Sequence, residues 1–75
     1  MSPRLPQLNA KRIIAAIKKG GFEESHHRGS HFYFYNPIKK LTTTVPVHPG
    51  DIKRPILKKI IKQAGLTEDE FRKLL

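Results

Sequence analysis

Apolar and charged positions near the start of the chain recur with the period of a helix. Four apolar residues spaced three or four positions apart would form one stripe, namely Ala10, Ile13, Ile14 and Ile17. Asn9 can cap this helix at its start, and Gly20-Gly21 can end it with one glycine in the left-handed conformation. The pattern therefore predicts a first helix between these two signals. Residues 1–8 lack a periodic pattern and are expected to form an irregular lead-in.

The middle of the chain is rich in aromatic and β-branched residues, which are typical of strands. It predicts three strands, over residues 22–27, 30–35 and 41–47. Short connections separate them: a tight turn at Arg28-Gly29, and a second turn that contains Asn36-Pro37 and Lys39-Lys40. Two short connections in succession predict an antiparallel meander. Pro46 lacks an N–H donor, which fits an edge position or the end of strand pairing.

The aromatic second strand has two different faces. Alternation of side chains puts Phe32 and Phe34 on one face, and His31, Tyr33 and Tyr35 on the other. One of these faces must pack against the core, but the sequence does not indicate which.

The helical period returns after residue 50. A second apolar face is formed by Ile56, Leu57, Ile60, Ile61 and Ala64. Pro55 suits the first position of this helix, and Gly65 suits its end. Residues 67–70, Thr-Glu-Asp-Glu, form a capping box that opens a short final helix. The inner side of that helix is expected to carry Phe71, Leu74 and Leu75.

The predicted order of elements is α-β-β-β-α with a short extra helix at the C-terminal end. The helices that flank a three-stranded antiparallel sheet must cover one of its faces, because the apolar stripe of each helix has to be buried away from water. We therefore expect an α+β two-layer sandwich whose second sheet face is open to solvent. A chain of 75 residues has room for a single domain, which we assign to residues 1–75.

Charge narrows the range of partners. Fifteen Lys and Arg against six Asp and Glu give a net charge of +9, and three of the acids are neighbours at positions 68–70. This balance favours nucleic acid, an anionic membrane surface or an acidic protein. The chain has no cysteine, which excludes disulfides and thiolate metal sites. No apolar run approaches the ~18 residues of a membrane span, so we expect a soluble, cytoplasmic protein without a membrane partner.

Four histidines are candidates for chemistry: His26, His27, His31 and His48. A zinc site is disfavoured, because adjacent His26 and His27 would point to opposite faces of a strand and no cysteine can replace them. An imidazole can instead exchange a proton near neutral pH. RNA carries its own nucleophile, the 2′-hydroxyl, so a base at His31 would need no metal and no cofactor.

Other residues could bind the RNA around such a base. Arg28, Lys39 or Lys40 on neighbouring loops could stabilise the charged phosphorane. Tyr33 or Tyr35 could stack on unpaired bases. The alternative is that the histidines are ordinary surface residues of the strands, and that one pair of aromatic residues belongs to the core while the other is simply exposed.

Four segments match a known family in their order and spacing. They read Lys-Gly-Gly-Phe at 19–22, Arg-Gly-Ser-His at 28–31, Thr-Val-Pro-Val-His-Pro-Gly at 44–50, and Ile-Ile-Lys-Gln-Ala-Gly-Leu-Thr at 60–67. Over residues 9–75 the chain resembles the HicA-type toxins, also described as YcfA-like mRNA interferases, of type II toxin–antitoxin systems. It differs at Pro55-Ile56, where the family often has Pro-Gly.

The resemblance implies a double-stranded-RNA-binding-domain-like fold, in agreement with the predicted order of elements. It also implies a ribosome-independent endoribonuclease that cleaves single-stranded RNA, in particular mRNA, and a HicB-type antitoxin that blocks the site. The family's essential histidine lies in a Gly-Ser-His motif and corresponds to His31, so that Arg28, Gly29 and Ser30 are expected to contact the RNA. His48 matches a second recurrent histidine, whose role is secondary or structural.

Two other functions are compatible with the sequence. A non-catalytic RNA-binding module would use the same fold and charge, and the lack of an evident general acid beside His31 favours it. A protein-interaction partner would turn the basic surface toward an acidic protein. If an antitoxin covers the site, the chain would be both a protein-interaction partner and an endoribonuclease.

Overall fold

The structure is a computed structural model that describes residues 5–75. The predicted lead-in at residues 1–4 lies outside this range. The elements follow in chain order as β1 (Leu8–Asn9), α1 (Ala10–Lys19), β2 (Glu23–Arg28), β3 (His31–Asn36), β4 (Leu41–Pro46), β5 (Asp51–Ile52), α2 (Arg54–Gln63) and α3 (Glu68–Lys73). The α+β class and the helix–three strands–helix order are confirmed.

The main sheet has the strand order β2-β3-β4, and both pairs of strands are antiparallel. Phe34 is fully buried, together with Val45 of β4 and apolar residues of α1 and α2. Tyr35, which points the other way from β3, is exposed. The helices therefore cover the face that carries Phe32 and Phe34, and the face with His31, Tyr33 and Tyr35 is open, which decides the question that alternation left undecided.

Helix α1 begins and ends at the predicted signals. The Asn9 side chain accepts a hydrogen bond from the Arg12 backbone N–H at 2.9 Å, and Gly21 adopts a left-handed φ of 97°. The predicted stripe is the buried side of the helix, with Ile13 and Ile17 wholly inaccessible to solvent. The helix thus supplies much of the layer beneath the sheet.

The capping box before α3 is also confirmed. The Thr67 hydroxyl accepts from the Glu70 N–H, and the Glu70 carboxylate accepts from the Thr67 N–H. That backbone hydrogen bond is the main cause that lowers the pKa of Glu70. Phe71 is buried as predicted, whereas Leu75 is 37% exposed, so its predicted place on the inner side is wrong. Helix α3 ends at Lys73, so the backbone that follows no longer carries Leu75 inward.

Helix α2 departs from the prediction at its first turn. Leu57, Ile60 and Ala64 pack in the core, but Ile56 is 41% exposed. The expectation that Ile56 belongs to the core face is therefore wrong. Because α2 lies beside β4, which is an edge strand, the stripe that contains Ile56 faces the strand edge and the adjacent solvent.

The segment before α1 is partly regular and partly buried. Leu8 pairs with Ile52 in a two-stranded antiparallel sheet formed by β1 and β5, so the predicted irregular lead-in is wrong at Leu8. Leu5 is also buried, and its carbonyl accepts a hydrogen bond from Arg54 Nε at 2.9 Å. These contacts of Leu5 and Leu8 therefore hold the start of α1 close to the start of α2. None of the helices within residues 5–75 combines the length and the apolar character that crossing a bilayer requires.

Candidate functional site

The hairpin between β2 and β3 positions His31. Arg28 and His31 are paired across the two strands, and Gly29 and Ser30 form the loop. The predicted Arg28-Gly29 turn is therefore displaced by one residue. Gly29 has a φ of 59°, a left-handed conformation that glycine adopts without strain. The Ser30 carbonyl accepts from the Val47 N–H at 2.7 Å, which fixes this loop to the segment that follows β4.

The register puts a row of candidate site residues across the open face. His31 lies between Arg28 on β2 and Pro46 on β4. Since directly opposed residues share a face, the Arg28 guanidinium and the His31 imidazole are on the same side of the sheet. Tyr33, two residues along β3, is on that side as well.

A groove of about 440 Å³ runs beside His31. Its walls come from the sheet, from the segment after β4 and from α2, and they comprise His31, Thr44, Pro46, His48, Ile56, Lys59, Ile60 and Gln63. The structure thus brings the two histidines that the sequence singled out, His31 and His48, into one concave site. Both are exposed, so a ligand in the groove can reach either imidazole.

Hydrogen bonds to the Gln63 side chain hold α2 against the free edge of β4. Gln63 Oε1 accepts from the Thr43 hydroxyl at 3.1 Å and from the Thr44 N–H at 3.3 Å. The Thr43 hydroxyl also donates toward the Ile60 carbonyl at 3.2 Å. Because the edge strand would otherwise present an unpaired N–H at Thr44, Gln63 both satisfies the strand and sets the width of the groove.

Lys39 and Lys40 lie away from this groove. They belong to the loop between β3 and β4, at the end of β3 opposite to His31, which is about 17 Å along the strand. The Asn36 side chain organises that loop by accepting from the backbone N–H groups of Ile38 and Lys39. The expected grouping of Lys39 and Lys40 with His31 in one site is therefore not formed, and RNA binding by these lysines elsewhere stays a prediction.

The charged groups near the groove are basic. Lys59 lines it, and Arg28 is next to His31 on the open face. Within residues 5–75, neither cation forms an ion pair with a carboxylate. Both are exposed, so an anion that enters the groove finds cations available for binding.

The described part of the chain does not group three or more His, Asp or Glu side chains at a distance that could hold a metal ion. His26 and His27 diverge as the sequence indicated, since His26 stacks on Tyr33 and His27 stacks on Phe32 of the opposite face. The polar side-chain groups of the groove are two imidazoles, an ammonium, a hydroxyl and an amide. The ammonium favours an anionic ligand over a cation, because it offers donors and no acceptor.

Sequence reasoning missed Lys59, Gln63 and Ile56 as groove residues. Lys59 looks like one of several lysines on the polar side of α2, and Ile56 looks like part of its apolar side. The spacing of Ile56, Lys59, Ile60 and Gln63 does define one stripe of a helix. Only the docking of α2 on an edge strand turns that stripe into a wall of the site.

Comparison with known proteins assigns the part of the chain that forms the groove to a known family. A family model described as the HicA toxin of bacterial toxin–antitoxin systems matches residues 10–66. This range contains His31, Arg28 and every groove residue. A search of curated proteins found no match.

Proposed function

We propose that this chain, which belongs to the HicA toxin family of bacterial toxin–antitoxin systems, is an endoribonuclease that cleaves single-stranded RNA, and mRNA in particular, without a metal ion. The observation that carries the proposal is the exposed His31 imidazole at the wall of a groove that also contains His48 and Lys59. Two imidazoles and an ammonium in one groove can move protons and bind a phosphodiester.

His31 is the base in this proposal. Its imidazole takes the proton of the ribose 2′-hydroxyl, and the 2′-oxygen attacks the adjacent phosphorus. The bond from phosphorus to the 5′-oxygen then breaks, which leaves a 2′,3′-cyclic phosphate on one product and a 5′-hydroxyl on the other. The nucleophile is part of the substrate, so this route needs a positioned base but not a metal-bound water.

Arg28 and Lys59 stabilise the negative charge that develops on the phosphorane. Arg28 is directly opposite His31 on the sheet, and Lys59 approaches from the α2 wall. Two cations beside the reacting phosphate can neutralise the charge as it develops, which is a large electrostatic contribution to catalysis. The backbone of Gly29 and Ser30 lies beside the same phosphate and completes its binding.

His48 supplies the proton that the leaving 5′-oxygen requires. It lines the groove together with His31, and the rigid sequence Pro46-Val47-His48-Pro49 restricts its backbone. A base that must be unprotonated and an acid that must be protonated give the rate opposite dependences on pH. The rate of cleavage should therefore have a bell-shaped pH dependence.

Incubation of the purified protein with end-labelled RNA in excess EDTA tests the proposal. Wild-type protein is expected to produce fragments with 2′,3′-cyclic phosphate ends. The His31→Ala variant should be at least about a thousandfold slower while it retains its circular dichroism spectrum. His27→Ala is the matched control, because His27 is also exposed on the neighbouring strand but stacks on the opposite face.

Two outcomes would contradict the proposal. Cleavage by His31→Ala at the wild-type rate would remove His31 from the chemistry. Salt-sensitive RNA binding by the wild-type protein without any fragments would favour the non-catalytic RNA-binding module. A deoxyribose substitution that removes the 2′-hydroxyl at the cleaved position must abolish cleavage, and continued cleavage there would exclude the internal nucleophile.

The partner in this proposal is a HicB-type antitoxin that covers the groove. The exposed cations around His31 offer it a basic surface, and its binding should exclude RNA. Expression of the chain alone is expected to arrest growth, and co-expression with the antitoxin from the adjacent reading frame should restore it. A complex that elutes together from a sizing column but still cleaves RNA would refute the blocking role.

A further inference from the structure

The open face of the sheet carries a pair of stacked aromatic rings next to His31. The His26 imidazole and the Tyr33 phenol have ring centroids 4.4 Å apart and are inclined by only 7°. They are opposed residues of β2 and β3. Tyr33 follows His31 by two positions, so the pair lies on the same face as the candidate base.

An irregularity in β2 is what brings His26 to this face. The pairing shifts between Glu24 and His26, which leaves Ser25 as the extra residue of a bulge. In a regular ladder that continued from Glu24 and Phe34, Ser25 would oppose Tyr33 and His26 would point toward the helices. Bulges re-aim side chains in this manner and are frequent beside functional sites.

Ser25 also fixes the ring pair. Its hydroxyl donates to the Tyr33 carbonyl at 3.2 Å, and its Oγ lies 3.0 Å from His26 Nδ1. The extra residue therefore does not loosen the strand but links both members of the stack. An imidazole held flat in this way keeps its outer ring face in a constant orientation.

That outer ring face is turned to solvent. β2 is at the edge of the sheet, His26 is exposed, and Tyr33 covers its inner side. The stack can therefore be extended by one more flat group from outside. The positive charge of the chain and the cations near His31 select an anionic strand as the source of that group.

We propose that His26 and Tyr33 form a stacking platform for an unpaired nucleobase adjacent to the phosphate that His31 attacks. The inference rests on the proposed function and adds to it the residues that recognise an unpaired base of the single-stranded substrate. A base in a duplex is covered on both faces by its neighbours, whereas an unpaired base is free to stack on an aromatic ring. The platform holds one base while the sugar–phosphate backbone continues into the groove.

The neighbouring histidine offers a matched control. His27 stacks on Phe32 with ring centroids 4.8 Å apart and an inclination of 17°. It is also exposed but belongs to the other face of the sheet. Substitution of His27 removes the same kind of ring and the same kind of stack without touching the platform.

The test measures the binding of a short oligouridylate by fluorescence anisotropy in a His31→Ala background, where the RNA stays intact. His26→Ala is expected to weaken binding about tenfold, the fold-change that loss of one base stack produces. His26→Phe should retain the affinity because it keeps a ring, and His27→Ala should not change it. In the active protein, His26→Ala should raise KM more than it lowers kcat.

Equal affinities of His26→Ala and His27→Ala would overturn the platform, and so would equal binding of single-stranded and double-stranded RNA by the protein with an intact His26. These results are independent of cleavage. If the wild-type protein binds oligouridylate through His26 but never cleaves RNA, the nuclease proposal fails and the platform stands. If the protein cleaves RNA and His26→Ala behaves as His27→Ala does, only the platform fails.

Discussion

Two adjacent lysines on α2 differ in whether they line the groove. Comparing their variants therefore distinguishes a role in the groove from a role in solubility. Lys59 lines the groove with His31, whereas Lys58 is exposed and does not line it. Their side chains, charge and distance along the chain from His31 are nearly the same. A difference between their variants therefore reports the position of the ammonium and not the net charge of the protein.

We expect Lys59→Ala to lower kcat/KM for RNA cleavage by about tenfold or more, because a cation at the developing phosphorane is lost. The measurement is steady-state cleavage of a labelled oligoribonucleotide. Lys58→Ala should remain close to wild type and serves as the control. Equal losses in the two variants would mean that Lys59 acts only through overall charge.

At the scale of elements, the attachment of α2 to β4 shapes the site. Gln63 Oε1 accepts from both Thr43 and Thr44, and Gln63 is itself a groove residue. Its amide therefore connects the stability of the helix–strand contact with the width of the groove. Two substitutions of Gln63 that keep the size of its side chain can separate its effect on stability from its effect on the groove.

Gln63→Met removes the acceptor while it keeps the volume of the side chain. We expect it to lower the free energy of unfolding by about 1–2 kcal/mol, because the Thr44 N–H loses its partner and the Thr43 hydroxyl keeps only the Ile60 carbonyl. Cleavage should also fall as α2 shifts. Gln63→Glu keeps an acceptor oxygen, so it should retain more stability but weaken RNA binding through repulsion of phosphate. Urea unfolding and anisotropy measure the two effects. Identical stability of the wild type and the Met variant would show that the contact does not hold α2.

The elements that could be predicted from the sequence are those with a strong local signal. Asn9 and the glycines bound α1, and the capping box at Thr67 opens α3, because these signals act on the nearest turn of backbone. The strands β1 and β5 have two residues each, which is too short for any periodicity. Their pairing depends on Leu8 meeting Ile52 across the fold, which no local pattern contains.

Apart from His48, which the family resemblance singled out, the site was predictable only where its residues are close along the chain. Arg28 and His31 flank one hairpin loop, so their proximity follows from the turn itself. Lys59 and Gln63 lie in the same site because α2 packs on the edge of β4. Lys39 lies outside the site because the length of β3 separates it from His31. The bulge at Ser25 shifts the pairing of β2 by one residue, and such a shift reverses the face of every later side chain.

At the scale of the whole molecule, basic residues are distributed over both layers. Arg28 is on the open face beside His31, whereas Lys18 is on the exposed side of α1 in the helical layer. A fold of this kind could present either layer to RNA. The salt dependence of binding distinguishes them, because each phosphate that a cation neutralises releases counterions.

We expect the logarithm of the affinity for single-stranded RNA to fall linearly with the logarithm of salt concentration. Arg28→Gln should reduce the steepness by about 0.7, the contribution of one phosphate contact on a single strand, and Lys18→Gln should leave it unchanged. Anisotropy titrations at several salt concentrations in the His31→Ala background measure both slopes. The reverse result, with the slope sensitive to Lys18 and indifferent to Arg28, would mean that RNA binds the helical layer, and the groove beside His31 would then lie on the wrong side of the molecule to cleave it.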